Sequence, residues 1–227
     1  TVNGGYIKSK GRRAVVAQKG SNLTINGGTM TSVRIDKPSV ELEYAKAVIN
    51  GGKIIGEDGN GVRCCSAVVY VNGGDIAGNR ALMLYDKSKA IVSGGHFTGM
   101  WYSVFVEKDA DAKLVAGKFE VPAGEKAIAV RSDKYHVKKA TEIIASGSVM
   151  EPKQDAKLEQ YGSVYYSEIE KSFTLRAKIS SAKLSSASYT YDGKVKTPGV
   201  VVKNGNRVLK SGRDYTVSYA KGRKNVG

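Results

Sequence analysis

Apolar and polar residues in the first 120 positions are organised by one recurring phrase: an apolar residue, Asn or Ser, Gly-Gly, any residue, and a second apolar one. It is written Val2-Asn3-Gly4-Gly5-Tyr6-Ile7, Ile25-Asn26-Gly27-Gly28-Thr29-Met30, Ile49-Asn50-Gly51-Gly52-Lys53-Ile54, Val71-Asn72-Gly73-Gly74-Asp75-Ile76 and Val92-Ser93-Gly94-Gly95-His96-Phe97, with a degraded copy at Leu114-Val115-Ala116-Gly117-Lys118-Phe119. The first doublet positions (4, 27, 51, 73, 94, 116) differ by 23, 24, 22, 21 and 22. A period of this length marks a solenoid, in which each unit covers the apolar face of its neighbour. Within a unit the alternation has period two, so the repeat is made of strands and not of the Leu-x-x-Leu-x-Leu scaffold of leucine-rich repeats.

Two apolar columns follow. Val2, Ile25, Ile49, Val71, Val92 and Leu114 stand two before the doublet, and Ile7, Met30, Ile54, Ile76, Phe97 and Phe119 two after it. Like side chains stack on like from coil to coil, about 4.8 Å apart. The Gly-Gly doublet suits a corner that needs positive φ between two short strands. Asn3, Asn26, Asn50 and Asn72 precede it; Asn tolerates left-handed backbone, and stacked Asn side chains offer a hydrogen-bonded ladder. A second apolar stretch recurs at Ala14-Val15-Val16, Val62, Ala81-Leu82-Met83-Leu84, Val104-Phe105-Val106 and Ala127-Ile128-Ala129-Val130. Two to three strands with corners in about 22 residues make one coil, and six coils give a rod about 29 Å tall.

On these residues the segment 1–135 resembles the right-handed parallel β-helix proteins of the pectin-lyase-like kind. The resemblance rests on period and corner chemistry and brings no catalytic signature with it. The chain opens in mid-phrase at Thr1-Val2-Asn3, which predicts further coils or a cap upstream. Residues 136–177 read as the last irregular coil, a cap and a linker. Thr141-Glu142-Ile143-Ile144-Ala145 and Phe173-Thr174-Leu175 are expected strands, and Pro152 to Gln160 an expected loop.

From about Lys183 the pattern changes to Tyr, Val and Thr alternating with turn residues, the signature of antiparallel hairpins. Tyr189-Thr190-Tyr191-Asp192-Gly193-Lys194, Thr197-Pro198-Gly199-Val200-Val201-Val202, Gly212-Arg213-Asp214-Tyr215-Thr216-Val217-Ser218-Tyr219 and Asn225-Val226-Gly227 together resemble the Ig-like repeat of secreted and surface proteins of Gram-positive bacteria. The expected fold is therefore all-β: a solenoid of about six coils over 1–135, then a partial Ig-like antiparallel β-sandwich module over 178–227, incomplete at its C-terminal end. The resemblance implies a secreted or cell-surface location.

The net charge is +15, with eleven Lys/Arg against two Asp/Glu in residues 177–227. That balance suits anionic wall or host-surface polymers, or simply keeps exposed strands soluble. No helix-turn-helix, RNP-like or finger motif points to nucleic acid, and no apolar run approaches a membrane span. Cys64 and Cys65 are adjacent and lack His partners, which fits small core residues better than a metal or redox site. No metal or cofactor is expected.

Aligned coils bring three sets of chemistry-bearing residues together. Asp75 and His96 fall in one outward column between Lys53 and Lys118, where a carboxylate could orient an imidazole or a charge ladder could simply stabilise neighbouring strands. Asp86 and Glu107 each lie thirteen residues past their doublets, a spacing open to a glycosidase pair or to a charged, solvated corner. Trp101, the single tryptophan, joins Tyr102 and Tyr85 as a candidate aromatic platform for a sugar ring, or packs at the edge of the rod. The leading expectation is a non-catalytic, adhesin-like surface protein that binds glycan, with the Ig-like module as spacer. The alternatives are a lyase or glycoside hydrolase acting on acidic glycan through Asp86/Glu107 or Asp75/His96, and a purely mechanical stalk.

Overall fold

The computed structural model describes residues 1–186, 188–190, 192–204, 207–211 and 215–219. The chain divides into two units, Thr1–Arg176 and Ala177–Gly227.

The first unit is a parallel β-solenoid of about six turns. One face is the five-stranded sheet Asn22–Ile25, Lys46–Ile49, Val68–Val71, Lys89–Val92 and Asp111–Leu114. The second face carries Tyr6–Ser9, Thr29–Ser32, Lys53–Gly56, the first halves of the long strands Asp75–Tyr85 and His96–Val106, and Gly117–Glu120. The third carries Val15–Ala17, Val40–Glu43, Val62–Cys65, the second halves of the two long strands, and Lys126–Asp133. Strand Val40–Glu43 is absent from the apolar stretches read in the sequence, because Glu41, buried against Arg13 and Arg63, and Glu43 interrupt the run.

Both expected columns are real files. Val2, Ile25, Ile49, Val71, Val92 and Leu114 pair in succession across neighbouring coils. Ile7, Met30, Ile54, Ile76, Phe97 and Phe119 do the same on the next face. All but the first member of each file are essentially inaccessible to solvent. The Phe97 and Phe119 rings stack at 5.2 Å, and Phe173 of the cap continues the pile at 5.0 Å. At full burial each large aliphatic contributes about 1.5–3 kcal/mol of transfer free energy.

The corners explain both glycines of the doublet by different means. Gly52 has φ of +91°, which a side chain rarely adopts. Gly51 sits so close to the coil below that a Cβ would lie 2.8 Å from the Asn26 carbonyl oxygen. The Asn ladder runs beside them: Asn26, Asn50 and Asn72 each donate Nδ2 to the Oδ1 of the Asn one coil earlier, at 2.8, 2.8 and 2.9 Å.

The parallel stack ends in antiparallel strands. Val164–Ile169 pairs antiparallel with Lys126–Asp133, and Lys157–Tyr161 pairs with Val164–Ile169. Phe173–Ala177 lies antiparallel to Gly117–Glu120. Two expectations are corrected here. The stretch Pro152 to Gln160 is not all loop, since Lys157 begins a strand that turns back through Gly162-Ser163. Thr141 to Ile143 belongs to a 3₁₀ turn, Ala140–Ile143, and not to a strand. That turn packs against Asp111–Leu114, Lys126–Asp133 and Val164–Ile169 and buries Ala140 and Ile143 three residues apart on one side. Ile144 then bridges in parallel to Leu114 and extends the first file by one more rung.

The second unit contains an antiparallel sheet of Ser181–Leu184, Val200–Asn204 and Arg207–Val208. Val202 and Leu209 are buried, and the Tyr215 and Tyr219 hydroxyls donate to the Val200 and Pro198 carbonyls at 3.0 and 2.6 Å. Of the repeat read in the sequence, Tyr191, Gly212-Arg213-Asp214 and Asn225-Val226-Gly227 lie outside the described residues.

Candidate functional site

The third face and the cap together form the most elaborate surface of the first unit. The strands Asp75–Tyr85 and His96–Val106 pair in register from Asp75–His96 to Gly78–Gly99, then resume one residue out of step at Arg80–Tyr102. The extra residue falls at Met100-Trp101, which are both exposed, Trp101 by 44%. The backbone closes tightly here, for a Cβ on Gly99 would lie 2.0 Å from the Tyr102 carbonyl. A bulge of this kind re-aims side chains.

Arg80 exploits that geometry. Its guanidinium carbon lies 4.9 Å from the Phe105 ring centroid, 5.1 Å from Trp101 and 5.9 Å from Tyr102. Arginine over an aromatic face gains quadrupole attraction while its in-plane N–H groups stay available. Nε is buried without a hydrogen-bond partner, and among the described residues no carboxylate lies within 4.0 Å of Arg80. The cap hairpin supplies the opposite wall, so that Arg80, Tyr102, Phe105, Tyr161, Tyr166 and Glu168 line a cleft of about 380 Å³. Tyr161 and Tyr166 meet edge to face at 5.8 Å. Glu168 is 6% exposed, and its burial raises the carboxyl above its ordinary value, opposed by the Lys126 ammonium 4.0 Å away.

A second cleft of about 280 Å³ lies alongside, lined by Met83, Tyr85, Asp86, Glu107, Lys108, Asp109 and Arg131. Asp86 and Glu107 therefore share a cavity, but not as equivalent positions of adjacent coils. Leu84 pairs with Val106, so Glu107 falls level with Tyr85 and Asp86 with Lys108. The bulge at Met100-Trp101 adds the residue that an equal count from the doublets overlooks. Glu107 is engaged by Arg131, whose Nη1 donates to both carboxylate oxygens at 3.0 and 3.2 Å. Asp86 has φ of +49° and accepts the Cys65 thiol at 3.3 Å, while the Ser66 hydroxyl donates to its carbonyl at 2.8 Å. Tyr85 lines this cleft and Tyr102 the first, where Tyr102 and Trp101 both lie against the Arg80 guanidinium. Burial pushes the Tyr85 hydroxyl upward. It also pushes up the thiols of Cys64, which is buried and free, and of Cys65.

Asp75 and His96 are neighbours on the second face, with His96 Nδ1 3.6 Å from Asp75 Oδ1. Lys53 and Lys118 flank them in register. His96 Nε2 also contacts Glu120, a residue the column count passes over because it lies two positions beyond Lys118. Lys118 and then His96 hold the Glu120 carboxyl below its ordinary value. The result is a ladder of alternating charge, Lys53, Asp75, His96, Lys118, closed by Glu120.

Sequence reading also passed over Arg80, Phe105, Tyr161, Tyr166 and Glu168, which meet only through the bulge and the cap. It passed over Glu41 as well, whose fully buried carboxylate is gripped by Arg13 and by Arg63, the latter donating Nε at 2.7 Å. Among the described residues no group of three His, Cys, Asp or Glu is arranged to hold a metal ion, and no helix is long and apolar enough to cross a membrane. Comparison with protein-family models, with curated proteins and with solved structures returns no match.

Proposed function

We propose that this protein is a non-catalytic, adhesin-like carbohydrate-binding protein of a bacterial surface or secretome, with the aromatic cleft around Arg80 as its binding site. The observation that carries the reading is Arg80 itself: a guanidinium stacked on three rings, without a carboxylate partner among the described residues, in a cleft that can hold a sugar ring. Trp101 and Tyr161, 44% and 63% exposed, offer rims on which a pyranose face stacks. An anionic substituent on the glycan supplies the missing counter-charge. Glu107 argues against a glycosidase pair with Asp86, because the bidentate contact with Arg131 ties up its carboxylate.

Two finer structural readings support this assignment. The solenoid coils in the right-handed sense of the pectin-lyase-like proteins, the sense that parallel crossover connections overwhelmingly take. The second unit is an Ig-like module acting as spacer, supported by the antiparallel sheet of Ser181–Leu184, Val200–Asn204 and Arg207–Val208 and by the Tyr215 and Tyr219 contacts. An extracytoplasmic Gram-positive setting accords with the basic second half of the chain.

The test is a glycan array probed with the whole chain, paired with assays for new reducing ends and for unsaturated products on acidic polysaccharides. Binding without turnover, weakened in Arg80→Ala and Trp101→Ala, is the expected result. Turnover of any polysaccharide replaces the reading with an enzyme, and a folded chain that binds no glycan replaces it with a mechanical stalk.

A further inference from the structure

We infer that the two clefts form one continuous groove and that its ligand is a zwitterionic oligosaccharide, with an acidic group seated at Arg80 and a free amine at Asp86. The inference rests on the carbohydrate-binding reading and specifies its ligand.

Continuity comes from register. Phe105 of the first cleft pairs with Met83 of the second, and Tyr166 of the first pairs with Arg131 of the second. The clefts are thus neighbours on the outer side of the same strands, meeting where Met83 pairs with the nearly buried Phe105. From Arg80 to Asp86 the extended rise covers about 20 Å, a span of several sugar units.

The two ends carry opposite charge, with a buried unpartnered Nε on Arg80 at one and exposed carboxylates at the other. In the first cleft Glu168 is withdrawn from solvent, 4.0 Å from a Lys126 that pairs more closely with Glu170 at 3.2 Å, and Arg80 itself has no carboxylate within 4.0 Å among the described residues. In the second, Glu107 is matched by Arg131 and Lys108 by Asp133 at 3.5 Å. Asp86 and Asp109, both exposed, have no cationic partner among the described residues.

A uniformly acidic chain places an anion against Asp86 and Asp109, where like charges repel. A neutral chain leaves the half-buried Arg80 without a counter-charge. A chain that carries an anion on one unit and an ammonium a few units along satisfies both ends, and the ammonium can donate to Asp86 and to the Tyr85 oxygen.

The experiment is calorimetric titration of the whole chain at neutral pH with a hexasaccharide of alternating glucuronic acid and free-amine glucosamine. The comparison ligands are its fully N-acetylated twin and a homouronate of equal length. The free-amine form is expected to bind about tenfold tighter than the N-acetylated form, the scale of one charge-assisted hydrogen bond. In Asp86→Asn, a change that the left-handed φ of this residue tolerates, that ratio falls to about one. In Arg80→Gln the homouronate weakens by about tenfold. Circular dichroism confirms that each variant is folded, and the ligand comparison on the native chain stands without either of them. Equal affinity for the free-amine and N-acetylated forms, or preference for the homouronate, overturns the inference and leaves the carbohydrate-binding reading intact. Failure of all three to bind also overturns the inference, while the carbohydrate-binding reading falls only if the glycan array shows no binding at all.

Discussion

Replacing Gly51 by Ala tests the stacking of the glycine corners directly. Its backbone is not in the left-handed region, so any penalty comes from crowding alone. A Cβ there lies 2.8 Å from the Asn26 carbonyl oxygen, about 0.6 Å inside the 3.4 Å at which ordinary contact begins. The atom it meets is backbone, so relief requires the two coils to separate. That strains the Asn50 N–H bond to the Ile25 carbonyl (2.7 Å) and the Asn50 side-chain bond to Asn26 (2.8 Å). Overpacking of this kind costs about 1–3 kcal/mol. Losing glycine freedom in the unfolded chain returns about 0.4–1 kcal/mol. The net destabilisation is then up to about 2.6 kcal/mol, and for a unit of this size each kcal/mol lowers Tm by roughly 2–4 °C. Gly4→Ala is the control: it occupies the same place in the phrase, also outside the left-handed region, and a Cβ there meets nothing within 4 Å. Its Tm should hold or rise slightly. Thermal unfolding followed by circular dichroism reads both. Equal shifts in the two variants would mean that the corner glycines are not there to let successive coils approach, and the crowding argument would fail.

Three further outcomes are expected. Glu41→Gln removes the anion between Arg13 and Arg63 and leaves two partly buried guanidinium groups facing each other, so denaturant titration should show a loss of about 3–5 kcal/mol; a neutral result would show that the cluster is not coupled. Because burial raises the Glu168 carboxyl, the folded chain still holds that proton at a pH where the unfolded chain has released it, and the site loses stability as pH rises from about 4.5 through the raised value. Glu168→Gln lacks this slope, so urea midpoints of the two proteins between pH 4 and 8 should diverge, and parallel curves refute the assignment. Trp101→Ala should leave Tm nearly unchanged, because the ring is 44% exposed, yet weaken glycan binding about tenfold; unaltered binding removes Trp101 from the site.

The solenoid was legible because translation along its axis repeats one chemical demand. Every coil needs an aliphatic residue over Ile49 and a glycine beside Asn50, so period, corner and core position all appear in the sequence as equal intervals. Whatever breaks the translation was not legible. The bulge at Met100-Trp101 hides because the doublets on either side are 21 residues apart while the following strands are offset by 22, as Leu84 and Val106 show. The pairing of Asp86 with Glu107 failed as a register for that reason alone. The stretch Pro152 to Gln160 reads as loop because the polar residues of strand Lys157–Tyr161 show no buried face, although Gly162-Ser163 between Tyr161 and Val164 is a two-residue turn signal, with Gly162 at φ of +62°. Arg80 stands just before the apolar stretch Ala81-Leu82-Met83-Leu84, and nothing local marks it as the residue on which three rings stack and beside which Tyr161 and Tyr166 close the cleft.

The cleft and the cap are consequences of the same requirement. A parallel stack cannot simply stop, since its last strand presents unpaired N–H and C=O groups to water and to other chains. Here Val164–Ile169 satisfies the edge of Lys126–Asp133 by pairing in the antiparallel sense, and Lys157–Tyr161 then becomes the new, polar edge. Turning back in this way carries Tyr161, Tyr166 and Glu168 into the wall facing Arg80, onto a side of the rod that coils alone would leave flat. The first cleft therefore exists only where translational repetition ends. A longer solenoid of the same phrase would add length without adding a second such cleft, whereas loosening the hairpin at Gly162 should open this one while leaving the stacked files beneath it intact.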